Sequence, residues 1–359
     1  MVEKSFSIDA PGRVFLFGEH SDYLGLEVIS AALNKTITID VKPNAEKQIH
    51  IKYTDLAEVD SFEISDNLIY RHKRDYVRSS LNVLKNNNII PKNGASLEIS
   101  GSIPIAAGLS SSSALSVASI LTFSKLADVE LNKEEVAQYA FEAEVLEFGE
   151  SGGMMDHLAS IFGGIIHVDF GHQFKITPLS TKITGLIIGD SLEKKKDTVG
   201  DLRMIRTNVE AGYNQLKNYI QGFDHRLTSL DDVLTHIGKI SDSTSRMMTE
   251  ATIRNRDLTR EALQYLIEGA KEPNTFGKLI DRHHMLMKDG LRRSTKKIER
   301  MILAAKDAGA LGGKINGSGG GGTMLAYAPG KEDDVANALE DVGGKPYIVK
   351  ISDGASIRY

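Results

Sequence analysis

There is no cysteine among the 359 residues, so disulfides, thiolate catalysis and Cys-ligated metals are excluded, and the absence suits a reducing cytosol. Long apolar runs are also missing. None approaches the ~20 residues needed to span a bilayer, and the opening stretch MVEKSFSIDAPG lacks the apolar segment of a secretory signal. Positive charge is not in excess either: 43 Lys and Arg face 48 Asp and Glu, a formal net charge of -5. That balance argues against a general attraction to nucleic acid or anionic membrane and favours small-molecule chemistry. The expectation is a cytoplasmic monomer or homodimer that takes a small-molecule substrate, with no nucleic-acid or membrane partner.

Two further signatures are absent, and a third stands without its partners. No internal repeat of about 20–50 residues is visible, which removes solenoids and propellers. No G-x-x-x-x-G-K-[ST] loop supports a Walker-type nucleotide hydrolase. The string G-x-S-x-G does occur, as GESGG at 149–153, but no residue pair announces a triad, so a serine hydrolase is a poor reading.

The length that remains to be explained favours two domains and a cleft between them. Short alternating stretches dominate the first hundred residues (KSFSIDA, TITIDVKP, QIHIKYT, ASLEISGSIP), as expected for an antiparallel sheet. Helical periodicity follows over 110–127 and 133–149, then strands over 163–180. A second half opens at TGLIIGDS, is almost wholly helical from about 198 to 310, and closes as strand, helix, strand. The boundary is placed near residue 182, giving domains 1–182 and 183–359.

Four segments carry chemistry. In the first, GLSSSSALS at 108–116, four serines stand between an apolar strand with its small-residue turn and a long apolar-periodic helix. A helix start there gathers unpaired backbone N–H groups and the positive dipole end into an anion site. Gly108 allows close approach, the hydroxyls can cap the helix or donate to phosphate, and one can ligate Mg²⁺. An ordinary N-cap with surplus serines is the bland alternative, although one cap needs one serine. The second segment, NGSGGGGTMLAYA, satisfies G-x-G-x-x-G at Gly317, Gly319 and Gly322. A dinucleotide fold would need a helix after it, and TMLAYA reads as a strand, so a cleft-lining loop between strands is the better reading. The third, APGRVFLFGEHSDYLG, brings Arg13, Glu19, His20 and Asp22 together at a strand-turn element; polyol hydrogen bonding, a metal site and a salt-bridged turn all remain open. In the fourth, GGMMDHLA, the carboxylate of Asp156 sits in apolar surroundings and needs a partner or a task. Glu144 lies upstream, while Glu147 and Glu150 read as a solvated helix face.

Taken together, in their order along the chain, the four segments resemble the GHMP kinase superfamily, and within it the galactokinase-type sugar kinases. PGRVFLFGEH is similar to the first family motif, PIAAGLSSSSAL to the second, and KINGSGGGG to the third. The resemblance implies an α+β, two-domain GHMP kinase fold, with an N-terminal part like the ribosomal protein S5 second domain and a ferredoxin-like C-terminal domain. It implies ATP and Mg²⁺ as cofactors. Gly108, Leu109, Ser110, Ser111, Ser112 and Ser113, with Gly319 and Gly320, would bind the nucleotide; Ser112 and Glu144 would hold the metal. Asp156 would be the catalytic carboxylate with Arg13 beside it, and opposite charge so close would keep Asp156 ionised.

For the acceptor, GEHSDYLG and SGGMMDHLAS are similar to galactokinase patterns. Glu19, His20, Asp22, Gly153 and Asp156 thereby become sugar contacts, and the anomeric hydroxyl of galactose or a related sugar the phosphorylated group. Two departures keep mevalonate-type and heptose-phosphate kinases in view. Leu202 stands where galactokinases carry a tyrosine, and the third motif is closer to the mevalonate and heptose kinase forms. A non-catalytic sugar and ATP sensor is the alternative from another class. Lys194, Lys195, Lys196, Arg203 and Arg206 read as a solvated basic run rather than as ligands for a charged acceptor. His283 and His284 read as structural histidines.

Overall fold

The structure is a computed structural model and describes residues 4–64, 68–104, 108–150, 152–171, 174–195 and 197–359. Lys196 and the turn residues 105–107 therefore lie outside the described residues. The first half lays down β1 (Phe6–Phe17), β2 (Glu27–Pro43), β3 (Gln48–Tyr53), β4 (Glu58–Glu63), α1 (Tyr76–Asn86), β5 (Ala95–Gly101), α2 (Ser111–Leu126), α3 (Lys133–Phe141), α4 (Met155–Phe162), β6 (Ile165–Asp169) and β7 (Lys175–Leu179). The second half adds β8 (Leu186–Asp190), α5 (Thr198–Leu216), α6 (Leu230–His236), α7 (Ser243–Ile267), α8 (Pro273–Met285), α9 (Lys296–Asp307), β9 (Gly312–Ile315), β10 (Thr323–Tyr327), α10 (Glu332–Asp341), β11 (Lys345–Val349) and β12 (Ser356–Arg358).

Alternation in KSFSIDA turns Phe6, Ile8 and Ala10 inward, the period of a half-buried strand. Beyond Ala10 the strand is buried on both sides, and its register against β2 slips between Pro11 and Arg13 and again between Phe15 and Phe17. Such bulges re-aim side chains. Here they carry the end of β1 out of regular pairing and into the functional cleft. The long β2 pairs with β1 on one side; on the other it takes β6 along Glu27–Ala31 and β5 along Ile37–Pro43. A helix layer of α1, α2, α3 and α4 packs together, with α2 and α4 against β1 and β2.

α2 is buried nearly all round. Its small residues, Ala114, Ser116, Ala118 and Ser119, allow close approach on every side, so it shows no polar stripe. The alternating reading of the first hundred residues omits α1. Asp75 caps that helix by accepting from the Arg78 N–H, and Val77, Leu81 and Leu84 recur at helical spacing on its buried face.

In the second half the strand order is β11-β8-β10-β9, all antiparallel. Numbered by sequence within that sheet this is 4-1-3-2, the ferredoxin-like arrangement. The halves are not joined as two separate cores. Leu258, Ala262 and Leu266 of α7 and Phe276, Leu279 and Ile280 of α8 belong to the buried cluster of the first sheet. The chain's end also crosses back: β12 pairs antiparallel with β1, and Ile351 and Asp353 bridge to Leu33 and Gly163. Among the described residues, no helix is long and apolar enough to cross a membrane.

Candidate active site

A cleft of about 550 Å³ lies where the first motif, the serine segment, the Asp156 segment and the glycine loop converge. The serine segment is tied to β1: the Arg13 N–H donates to the Leu109 carbonyl at 3.1 Å, and Arg13 Nη1 donates to the Gly108 carbonyl at 2.9 Å. Gly108 has φ +79°, a conformation that only glycine adopts without strain. Ser110 is also left-handed at φ +61° and does not cap α2. Its hydroxyl donates instead to Asp156 Oδ2 at 2.6 Å. The four serines thus divide their work: Ser110 holds the carboxylate, and Ser111, Ser112 and Ser113 line the cleft at the open helix end.

Asp156 sits in the first turn of α4 and receives both arms of the Arg13 guanidinium, Nε at 2.6 Å and Nη2 at 2.8 Å. Burial works to raise this carboxyl, but the Arg13 charge, its hydrogen bonds and the Ser110 hydroxyl outweigh burial and hold it below the usual range. It is ionised at neutral pH.

Asp22 lines the cleft and has no ion-pair partner among the described residues. Burial first, and the Asp156 charge second, push its carboxyl up to about 6, against smaller opposing effects from Arg13 and the Tyr23 backbone. Gly153 lies directly beneath it, and a Cβ at that position would overlap the Asp22 carboxylate. His20 is left-handed at φ +63°, hydrogen-bonds the Tyr23 hydroxyl through Nδ1 at 2.8 Å, and has a buried, unpartnered Nε2. Burial, with Arg293 and Lys195 nearby, pulls its pKa down to about 3, so its ring is neutral at physiological pH.

The structure places Glu19 on the wall of the cleft and gives its carboxylate a partner from the second half. Its carboxylate is 1 % exposed and is taken up by Lys314, a wholly buried lysine of β9 that also donates to the Phe15 carbonyl at 3.0 Å. His283 of α8 stands 3.3 Å from the other carboxylate oxygen, and Asn255 of α7 donates to the Glu19 carbonyl at 3.1 Å. Elements of the second half therefore hold one Glu19 oxygen and its backbone carbonyl, while Oε2 has no hydrogen-bond partner, so Glu19 lines the cleft together with Asp22 and His20.

Two nucleotide-loop assignments also shift. Leu109 is buried and contributes its carbonyl to Arg13 rather than a face to the cleft. In the loop between β9 and β10, Gly317, Gly319, Gly320, Gly321 and Gly322 all have positive φ, which explains the composition. It is Gly317 and Ser318 that face the cleft. Gly319 and Gly320 turn onto Arg293, the Gly320 N–H donating to its carbonyl at 2.8 Å.

Of the basic run, Arg203 and Arg206 are exposed, as read from the sequence, and Lys194 is exposed at the edge of the cleft. Lys195 departs from that reading, because it turns into the cleft and donates to Ser318 Oγ at 2.9 Å. Leu202, in the second turn of α5, lines the cleft as well. Glu147 is solvated and accepts from the Tyr70 hydroxyl, while Glu150 reaches the rim and pairs with Arg74 at 2.5 Å. His283 and His284 are partnered within the core, the latter accepting from the Ile315 N–H at 3.2 Å and meeting Glu299 at 2.9 Å.

A divalent cation fits the donors present. Glu144 opens to the cleft with one oxygen held by His157 Nε2 at 2.6 Å, so its other oxygen and the Ser112 hydroxyl are the hard donors at the serine end. No cluster of three or more His, Asp or Glu among the described residues could cage a metal alone. That suits Mg²⁺, which keeps waters and completes its shell with phosphate oxygens.

The description "GHMP kinases N terminal domain" matches residues 75–164, "GHMP kinases C terminal" matches 262–345, and "Galactokinase galactose-binding signature" matches 2–43. The chain is 31% identical to the mevalonate kinase of Thermococcus onnurineus, over 96% of this chain and 95% of that one. It is 27% identical to the galactokinase of Roseiflexus sp., over 97% and 91%. Lactococcus lactis galactokinase, solved in complex with galactose, shares the fold with a TM-score of 0.86 at 21% identity, covering 99% of this chain and 95% of that one.

Proposed function

The chain belongs to the GHMP kinases, and from that premise we propose that it transfers the γ-phosphoryl group of ATP to a sugar, at the anomeric hydroxyl of galactose or a related hexose. The observation that carries this reading is the pairing of Asp156, held by Arg13 and Ser110 beside the phosphate loop, with the unpaired Asp22 on the acceptor side. A desolvated carboxylate without a cation favours hydroxyl donors, which a neutral polyol supplies with no negative charge of its own to repel it. The galactose-binding signature over residues 2–43 supports the same class.

The nucleotide phosphates take the N–H groups at the start of α2 and the hydroxyls of Ser111, Ser112 and Ser113. Ser112 and Glu144 would hold Mg²⁺, which when bound neutralises charge on the phosphates. Asp156, ionised and fixed at three points, accepts a hydrogen bond from the attacking hydroxyl and aligns it in line with the γ-phosphorus. Arg13 steadies that carboxylate and presents positive charge to the transferring group. His20, neutral, offers a ring nitrogen to a second hydroxyl.

A mevalonate-type kinase is the second reading, favoured by the 31% identity to an enzyme of that name. Release of ADP measured across hexoses, uronic acids, heptose phosphates and mevalonate separates the two. Turnover with neutral hexoses is expected, and turnover with mevalonate alone removes the sugar reading.

Two variants test the acceptor side. In the native enzyme the acceptor KM should rise below about pH 6, and Asp22→Asn should raise the acceptor KM about tenfold or more and abolish that pH dependence. The sign for stability is opposite. A carboxyl whose folded pKa is raised disfavours the folded state once pH exceeds its unfolded value, so the Tm advantage of Asp22→Asn should grow between pH 4 and pH 7. Gly153→Ala should displace Asp22 and raise the acceptor KM by about tenfold to a hundredfold, with the ATP KM unchanged. Equal effects on both substrates would place Gly153 in the nucleotide site instead.

A further inference from the structure

Arg13 and Lys195 both line the cleft, Arg293 lies behind it against Gly319 and Gly320, and two of these three cations are already neutralised. Arg13 is paired with Asp156, and Arg293 with Asp201 at 2.6 Å. The third, Lys195, has no carboxylate within ion-pair distance among the described residues; its hydrogen bond goes to the neutral Ser318 hydroxyl. Its position is fixed by the segment that follows β8. Ser191 and Glu193 are stitched to Gly322 by backbone hydrogen bonds of 2.8 and 3.1 Å, so the chain runs along the glycine loop and delivers Lys195 to its open edge. There the ammonium stands 2.9 Å from the point a Cβ on Gly108 would occupy and 4.0 Å from the same point on Gly317. It lies at the seam of the two glycine-bearing loops, one from each half of the chain.

We propose that Lys195 is a further catalytic residue: it grips the γ-phosphoryl group from the side opposite Arg13 and carries it through transfer. This rests on the kinase reading above. An ammonium enclosed beside two guanidinium groups, without a carboxylate of its own, is costly until an anion arrives. The anion at this point is the terminal phosphate of a nucleotide seated on Gly108–Ser113. During transfer the bond from the acceptor oxygen to the γ-phosphorus forms as the bond to the β,γ-bridging oxygen breaks. ADP leaves with that electron pair, the hydroxyl proton passes to Asp156, and Lys195 stays protonated against the equatorial oxygens throughout. The groups facing it are Arg13 on β1, Asp156 on α4, Asp201 on α5, Arg293 after α8 and the neutral His20. Burial first, then Arg13 and Arg293, bring its pKa down to about 8, with Asp156 and Asp201 opposing. The charged form therefore prevails at neutral pH and is lost as pH rises through about 8 in the free enzyme.

Calorimetric titration with MgATP and MgADP needs no acceptor and so separates this proposal from the choice of substrate. The native protein should bind MgATP, which tests the kinase reading; absence of binding by the native protein defeats that reading rather than this one. Lys195→Gln keeps a hydrogen-bonding group for Ser318 and loses the charge. It should weaken MgATP binding about tenfold more than MgADP binding and lower kcat about a hundredfold, with Tm within a few degrees of native. Lys195→Arg should keep the MgATP preference and remove the alkaline fall in kcat/KM near pH 8. An unchanged ATP-to-ADP affinity ratio in Lys195→Gln, or a persisting alkaline fall in Lys195→Arg, overturns the proposal.

Discussion

Asp156→Asn should lower kcat by about a thousandfold or more while leaving MgATP affinity within a few-fold, as read by single-turnover kinetics and calorimetry. The amide keeps the shape and can still accept one of the two Arg13 hydrogen bonds, so the fold should survive. What it cannot do is accept a proton from the acceptor hydroxyl while holding it in line. The substitution also removes the negative charge that helps push Asp22 up to about 6. The acid limb in acceptor binding should move to lower pH in the same variant. Native turnover in Asp156→Asn removes Asp156 from the transfer step, and an Asp22 limb that stays where it was contradicts the electrostatic coupling of the two carboxylates.

Arg13→Met should have the second largest effect, on both activity and stability. Arg13 side-chain exposure is 6% and that of Asp156 is 27%, so deleting the cation strands a largely buried carboxylate. A loss of about 3 kcal/mol of stability follows from the usual cost of breaking such a pair, together with a fall of about a thousandfold in kcat. Without the Arg13 charge and hydrogen bonds, burial is opposed mainly by the Ser110 hydroxyl and the Asp156 pKa rises, so residual activity should fall away at a higher pH than in the native enzyme. The double variant Asp156→Asn/Arg13→Met should recover part of the lost stability, since neither charge is then stranded. Urea unfolding of the four proteins reads this directly. Additive losses in that cycle would mean the two groups do not act as a pair.

Much of the fold was legible because local pattern and tertiary demand agree. Alternation in KSFSIDA and TITIDVKP, and the helical spacing of Ile298, Met301, Ile302 and Ala305, report burial that the structure reproduces. The serine segment was legible as a helix start because apolar pattern changed on either side of it. Its division of labour was not, since the partner of Ser110 lies 46 residues on. The same limit explains Glu19. Nothing near GEHSD reveals that Lys314, 295 residues away, will neutralise it. Lys195 reads as one of three adjacent lysines, and only the stitching of its segment to the glycine loop turns it inward. Gly319 and Gly320 were legible as glycines needed for backbone conformation, but the direction of the turn depends on Arg293, from another element. β12 is too short to signal its return to β1. Its pairing is set by where the chain's end lies after β11.

The central claim is that phosphate loop and carboxylate together deliver phosphate to a sugar. Phosphorus-31 NMR of the purified protein with ATP, Mg²⁺ and a panel of hexoses tests it most directly. The account predicts a new phosphomonoester signal coupled to the anomeric proton of one hexose, appearing in step with ADP and missing in Asp156→Asn. A phosphomonoester formed only from mevalonate, or MgATP binding with no new phosphorus signal from any hydroxylated compound, would contradict it.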